Sequence, residues 1–487
     1  MKKLVQKLTK GLKGEITIPS DKSISHRAVI FSSLAKGKSI IKNFSKGQDP
    51  LSSLKICQNL GVQTEFVNDD LIINSTGKLI APANNLDCGN SGTTMRFMCG
   101  ILAGQNFNST LIGDESLSKR PMKRVIEPLT LMGAKIEGEN FKAPLKIYGQ
   151  NLHAIEYNSP LSSAQVKSCV LLAGLMCDGQ TTFTEPFLSR NHTELMLKYM
   201  GAEIELEGKR IRGLEGKLFN KSDVGKIQAE QQTDKNFSTL QLFNHSTIKI
   251  AHSTLRPQTI EIPGDISSAA FFIVAGLIVP NSEIILKNVG LNPTRTGILE
   301  VVEKMGGNIE ILDKKEVSGE LVGDIKVSYS DLKSCTIEGE IIPKLIDELP
   351  VIAVLATQAK GTTVIKDAQD LRNKESDRIK AVVNELKKIG ADIEETPDGF
   401  IVNGKIELGN YLARGCNAHS SPVRTSVPLG EGADLIKVES YHDHRLAMSL
   451  YVAGLICQKP IEINGFEWVN ISFPEFEGLF NHILKDY

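Results

Sequence analysis

Residues 388–395 read KIGADIEE, and four other stretches repeat the phrase: NLGVQTEF at 59–66, LMGAKIEG at 131–138, YMGAEIEL at 199–206 and KMGGNIEI at 304–311. In each, a helical run ends on Gly and an alternation of polar and apolar residues follows. Glycine closes a helix there because it accepts the left-handed C-cap conformation. The alternation marks a strand with one buried face. Upstream of each lies a second shared phrase, an apolar helix, then Gly or Asn, then a short β-branched strand. AVIFSSLAKGKSIIKNF at 28–44 and VIAVLATQAKGTTVIKDA at 351–368 are two examples. A sixth copy, AMSLYVAGLICQKPIEINGF at 447–466, has too little chain after it for another Gly-capped strand. The unit is helix, strand, helix, strand, and the chain is α/β, built of α+β repeats.

The capping residues Gly61, Gly133, Gly201, Gly306 and Gly390 lie 72, 68, 105 and 84 residues apart. The long third interval holds a polar insertion near 219–246, and a second irregular stretch spans 413–432. Both are expected to be surface hairpins or loops. Units this long do not suit a solenoid; three plus three gives two globular halves. IEIPGD at 260–265 echoes ITIPSD at 16–21, and two such turns read as paired hinge crossovers near 18–21 and 260–265. One domain is then 1–20 plus 262–487 and the other 21–261, with the first strand joining the C-terminal half.

At 487 residues, 41% of them hydrophobic, the chain has material for more than one core. Its 56 Lys+Arg against 57 Asp+Glu leave a net charge of −1. That balance speaks against nucleic acid or an anionic membrane as partner, since both select a basic surface. Any cationic site must be local. The N-terminus MKKLVQKLTKGLKG is basic without an apolar signal core. The most apolar run, 269–280, is too short to span a bilayer. The eight Cys show no C-x-x-C spacing, so neither a zinc ribbon nor a disulfide framework is indicated. A cytoplasmic protein, acting as a monomer on small molecules, is expected.

The helix starts carry residues that capping alone does not require. PSDKSISHR at 19–27 sets Lys22, Ser23 and Arg27 where free backbone N–H groups and the helix dipole favour an anion. CGNSGTTMR at 88–96 is small and hydroxylated around Gly92, which allows close backbone approach. SKRPMKR at 118–124 adds Arg120, and SSAQVKS at 162–168 offers Ser163 and Gln165. SRNHTELM at 189–196 places Arg190 before Asn191, which is expected to cap a helix. In the second half, LRNKESDRIK at 371–380 gathers Lys374, Glu375 and Arg378, with a plain ion pair from Arg378 to Glu375 or Asp377 as the alternative. IIPKLIDELP at 341–350 puts Asp347 and Glu348 before an apolar helix. YHDHRLAM at 441–448 brings Arg445 to the last helix; its H-x-H has no evident third ligand, so no metal is expected. At least six cations at helix starts of both halves point to an inter-domain cleft for a multiply anionic ligand set. Asp347 and Glu375, carboxylates inside that field, suit proton transfer.

DKSISHR, GNSGTTMR, RPM, SAQVKS, NKESDR and DHRLAM, in that order, resemble the 5-enolpyruvylshikimate-3-phosphate synthase family over nearly the whole chain, in the branch called class II. The resemblance implies two domains of three βαβαββ units each, pseudo-threefold, closing over substrate as an inside-out α/β barrel. It implies transfer of the enolpyruvyl group of phosphoenolpyruvate to the 5-hydroxyl of shikimate 3-phosphate by addition and elimination, with no cofactor, and inhibition by glyphosate. Lys22, Ser23, Arg27, Ser163, Ala164, Gln165, Arg190, Asp347 and Lys374 resemble the shikimate 3-phosphate contacts. Lys22, Gly92, Arg120, Gln165, Arg378 and Arg445 resemble the phosphoenolpyruvate contacts. Asp347, Glu375 and Lys22 match the catalytic positions. A Lys seen near the C-terminus in some members falls on Ile471 or a neighbour. The related UDP-N-acetylglucosamine enolpyruvyl transferases have a Lys-Asn pair at the first turn and a Cys-bearing loop; here the pair is Lys22-Ser23 and no Cys is near Arg120. An anion-binding repeat scaffold is the alternative from another class, marked by saturable binding without phosphate release.

Overall fold

The computed structural model describes residues 1–207, 246–410 and 435–485. Both insertions, near 219–246 and 413–432, fall outside the described residues except for Ser246. The five repeated glycines end their helices with φ between +75° and +93°. One residue further on, Val62, Ala134, Ala202, Gly307 and Ala391 donate their N–H groups five residues back, at 2.8–3.1 Å. This is the left-handed helix stop that a Cβ would strain, and it turns the chain straight into the next strand.

The second repeat shows the unit. Strand Leu86–Asp87 runs parallel to Ser109–Ile112 across helix Gly92–Ala103, and the hairpin Lys135–Glu137 with Leu145–Tyr148 completes the sheet. Among the described residues there are six such sheets, five four-stranded and one three-stranded. The short one is the sixth repeat. Its strand Ile461–Asn464 is flanked by Ile436–Glu439 and, antiparallel, by Lys2–Val5 from the basic N-terminus. Nothing in local patterning marks those four residues as a strand; their partner lies at the opposite end of the chain.

The matched turns behave as a double crossover. Strand Lys13–Thr17 pairs in parallel with Glu283–Lys287 of the second half, then the chain passes to helix Lys22–Leu34 of the first. Strand Thr259–Glu261 pairs with Ile40–Lys42 of the first half before the chain passes to helix Ile266–Ile278 of the second. The two connections run side by side: Asp21 N–H donates to Pro263 O and Asp265 N–H to Pro19 O, each at 2.8 Å. The fully buried Arg295 holds both, with Nη1 3.3 Å from Asp21 and Nη2 3.0 Å from Asp265. Beside it His192 Nδ1 lies 2.6 Å from Glu320, joining the halves again.

Two apolar cores result. One is built from residues between Ile24 and Ile262, the other from Val5–Ile18 and residues between Ile266 and Ile483. Each half is centred on three helices that are buried nearly all round, covered by neighbours on every side. Helix Ile266–Ile278 is buried at all thirteen positions. Covering the flanks leaves the helix starts as the chemically available ends. Five of the six are capped by an acid or a serine: Asp21, Ser91, Ser163, Asp265 and Asp443 each accept an N–H two or three residues ahead.

Candidate active site

From the first half, Lys22 opens helix Lys22–Leu34 and its Nζ lies 3.0 Å from Asp49 Oδ2. One turn on, Arg27 is buried over the Phe97 ring and donates to Thr193 Oγ1 (2.8 Å), Ser23 O (2.8 Å) and Ser168 Oγ (3.2 Å). Burial draws its guanidinium down to about 10. Three of its five N–H groups are spent on these bonds. Gly92 begins the second repeat's helix, where a Cβ would come within 2.6 Å of Arg96 Nη1 and 3.7 Å of Arg120 Nη1. Both guanidinium groups therefore converge on Gly92. Arg120 is steadied by Asn90 Oδ1 (3.0 Å) and Ser116 Oγ (3.3 Å). In the third repeat Ser163 caps the helix that starts at Ala164. Gln165 is held between Arg96 Nη1 (2.8 Å) and Thr93 Oγ1 (3.0 Å).

Arg190 stands on the loop between strand Gln180–Glu185 and helix His192–Tyr199. The residue before it is gripped on every polar atom. Ser189 N–H and Oγ donate to Glu185 Oε1 (2.9 and 3.0 Å), and its carbonyl accepts from Lys167 Nζ (3.0 Å). Lys167, fully buried, also lies 2.8 Å from Glu185 and 2.8 Å from Glu194. From this anchored loop Arg190 reaches into the other half, where its Nη2 is 2.6 Å from Asp347 Oδ2.

Asp347 and Glu348 directly precede helix Leu349–Thr357, with Glu348 as its N-cap residue. Asp347 also receives Lys374 Nζ (3.1 Å) and Arg378 Nη1 (3.3 Å) on Oδ1. Burial would raise its carboxyl; Lys374, Arg190, Arg445 and Arg378 outweigh that and hold it well below the usual range. Glu375 is treated alike: burial raises it, and Arg378, His444 and Arg120 press it lower. Arg378 is the hub, 2% exposed, 2.7 Å from Asp443 Oδ2 and 2.5 Å from Glu375 Oε2. Arg445 donates to Ser267 O at 3.0 Å and lies over the Phe271 ring. Burial lowers His444 to about 4, against the pull of Glu375 and Asp443. Arg120 lowers Glu375, and Lys22 lowers His444, through electrostatics that reach from one half to the other. At the rim Arg124 and Asp370 approach to 3.6 Å.

Of the two partners offered for Arg378, Glu375 is the one that pairs with it; Asp377 instead accepts from Lys380 N–H and caps the helix. One expectation needs correcting. Asn191 makes no side-chain cap bond; its Oδ1 accepts from Asn292 Nδ2 (2.8 Å) and Thr294 Oγ1 (3.2 Å) of the other half. Asp49, Asn90 and Arg96 belong to the cluster and carried no expectation, and Asp443, noted before the last helix, pairs with Arg378. Only Arg96 left a usable trace, four residues after Gly92 and so on the same helix face. Ile471 is half-buried with its carbonyl beside Gly47, so no cation stands at that position. Among the described residues no three His, Cys, Asp or Glu side chains group to hold a metal ion. None of their helices is long and apolar enough to cross a membrane.

Residues 7–221 and 243–480 match the family EPSP synthase (3-phosphoshikimate 1-carboxyvinyltransferase). The chain is 46% identical to the 3-phosphoshikimate 1-carboxyvinyltransferase of Bacillus licheniformis, covering 97% of each. With that of Thermodesulfovibrio yellowstonii it is 46% identical over the full length of both. The solved EPSP synthase of Acinetobacter baumannii superimposes with a TM-score of 0.78 at 37% identity, over 99% of this chain and 98% of that one. The enolpyruvyl transferase NikO of Streptomyces tendae shares the fold, with a TM-score of 0.70 at 13% identity and 99% and 96% coverage. Matched from end to end in sequence and fold, the chain belongs to the EPSP synthase (3-phosphoshikimate 1-carboxyvinyltransferase) family.

Proposed function

We propose that this transferase moves the enolpyruvyl group of phosphoenolpyruvate to the 5-hydroxyl of shikimate 3-phosphate between its two halves, with Asp347 and Glu375 handling the protons. The observation that carries the reading is the Arg190–Asp347 contact at 2.6 Å, a cation of one half on a carboxylate of the other inside a field of further cations. Lys22, Ser23, Arg27, Ser163, Ala164, Gln165, Arg190 and Lys374 would hold the phosphorylated ring. Lys22, Gly92, Arg120, Gln165, Arg378 and Arg445 would hold phosphoenolpyruvate.

In the chemistry proposed, Glu375 takes up a proton once Arg378 and Arg120 turn to phosphoenolpyruvate and gives it to the methylene carbon, while the 5-hydroxyl attacks the neighbouring carbon and yields its proton to Asp347. The tetrahedral adduct then expels phosphate, which carries off the proton held by Asp347, while the methyl group returns a proton to Glu375. A carboxylate held as low as Asp347 is a poor base while Arg190, Lys374 and Arg378 rest on it. Phosphate and carboxylate groups of the substrates compete for those cations. As the cations shift to the substrates, the basicity of Asp347 rises in the presence of the hydroxyl it must deprotonate. Closure of the halves would exclude water and strengthen each ion contact.

The test is release of inorganic phosphate from purified protein given both substrates, with each substrate alone as control. Release with both together is expected; saturable binding of shikimate 3-phosphate without release would favour an anion-binding scaffold. Arg120→Ala should cut kcat/KM by at least ~10²-fold, about 2–4 kcal/mol of transition-state stabilisation, with an unchanged circular dichroism spectrum. Near-normal turnover in that variant would remove Arg120 from the site.

A further inference from the structure

Four side chains of the first half form a hydrogen-bond chain that ends at the turn carrying Gly92, and no step above employs them. His26 is fully buried on helix Lys22–Leu34, with Nδ1 2.8 Å from Ser53 Oγ on helix Gln48–Asn59. Ser53 Oγ lies 2.8 Å from Thr94 Oγ1, which donates at 2.7 Å to Ser91 Oγ. Ser91 also accepts the Thr94 N–H at 3.2 Å as the cap of helix Gly92–Ala103. All four residues are 1% exposed or less, so water does not substitute for any link from outside.

Counting hydrogens gives the chain a direction, because each hydroxyl has one to give. Thr94 spends its hydrogen on Ser91, so Ser53 must donate to Thr94. Ser53 then accepts from His26, which assigns the single imidazole proton to Nδ1. Burial keeps the ring neutral by lowering it to about 3. Nε2, without a partner among the described residues, is then a bare lone pair rather than an unmet N–H donor. At the other end, both lone pairs of Ser91 Oγ are taken by Thr94, and Ser91 keeps its own hydrogen to give.

We infer that His26, Ser53 and Thr94 are positioning residues for phosphoenolpyruvate: they lock the Asn90–Gly92 turn and set the direction in which the Ser91 hydroxyl donates. The inference rests on the assignment of phosphoenolpyruvate to Gly92 and Arg120. The test is steady-state kinetics of Ser53→Ala and Thr94→Val, each of which removes one hydroxyl and the two links it makes. Both should raise KM for phosphoenolpyruvate on the order of five- to tenfold, the loss of one or so net hydrogen bond. KM for shikimate 3-phosphate and kcat should stay within about twofold. Thr94→Ser, which keeps the hydroxyl, should recover the wild-type value, as a merely volumetric role would not. If Ser53→Ala fails to fold, the Thr94→Val and Thr94→Ser pair decides alone. Equal rises in both KM values, or none in a folded variant of an active enzyme, would overturn the inference and leave the function standing. A wild-type protein that releases no phosphate would overturn both.

Discussion

Asp347→Asn should lower kcat by about 10³-fold while KM for either anionic substrate holds or falls. The size follows from the removal of a general base, worth roughly 10²–10⁴ in rate. The direction of the KM effect follows from charge. Arg190, Lys374 and Arg378 lie 2.6, 3.1 and 3.3 Å from the Asp347 carboxylate, which neutralises part of their field. An amide of the same shape takes that negative charge away and leaves the cations to the substrates. It also turns an NH₂ toward one of its partners, so a donor faces a donor and a cation is released. A residue that served only to bind would raise KM; a base depresses kcat alone. Single-turnover phosphate release checks this directly. A kcat within tenfold of wild type, or a loss carried wholly by KM, would remove Asp347 from the proton-transfer role.

The cations around Asp347 and Glu375 already suggested proton transfer there, and the family resemblance added their match to catalytic positions; much of the scaffold could likewise be read from residues alone. Helix-ending glycines betray a repeat because few other residues tolerate the conformation they adopt, and all five took it. The crossover was readable for a similar reason: ITIPSD and IEIPGD place Pro and Asp at matching points, and both turns dock on one another. Lys2–Val5 was hidden because its partner strand lies more than 450 residues away and local periodicity carries no such information. At the site, the positions of cations at helix starts were visible but their partners were not. Arg378 has Glu375 and Asp377 nearby in sequence, yet its shortest contacts are with Glu375 and with Asp443, which lies 65 residues further along. Asp49 and Asn90 have no local mark at all; they matter because the fold brings Lys22 and Arg120 onto them.

Lys167→Met should cost about 3–5 kcal/mol of stability, because it leaves carboxylates buried without their cation. Lys167, Glu185 and Glu194 are each 1% exposed or less, and Lys167 Nζ is 2.8 Å from both acids. Removing the ammonium makes each acid either keep an uncompensated charge or take up a proton, and both are unfavourable at neutral pH. A loss of that size is a large part of the 5–15 kcal/mol typical of a folded domain. The midpoint of urea unfolding should fall accordingly, and a shift equivalent to less than about 1 kcal/mol would show that the triad is not buried as described. The triple variant Lys167→Met, Glu185→Gln, Glu194→Gln separates charge from packing. With no ion left to strand, it should regain most of the stability, since a buried ion network contributes little beyond a neutral replacement of the same volume. Activity should not follow. Ser189 would still lack the Lys167 donor to its carbonyl, and Arg190, the next residue, would lose part of the anchorage from which it reaches Asp347. Recovered stability with unrecovered turnover would separate the two contributions of Lys167, one to the core and one to the geometry of the cleft.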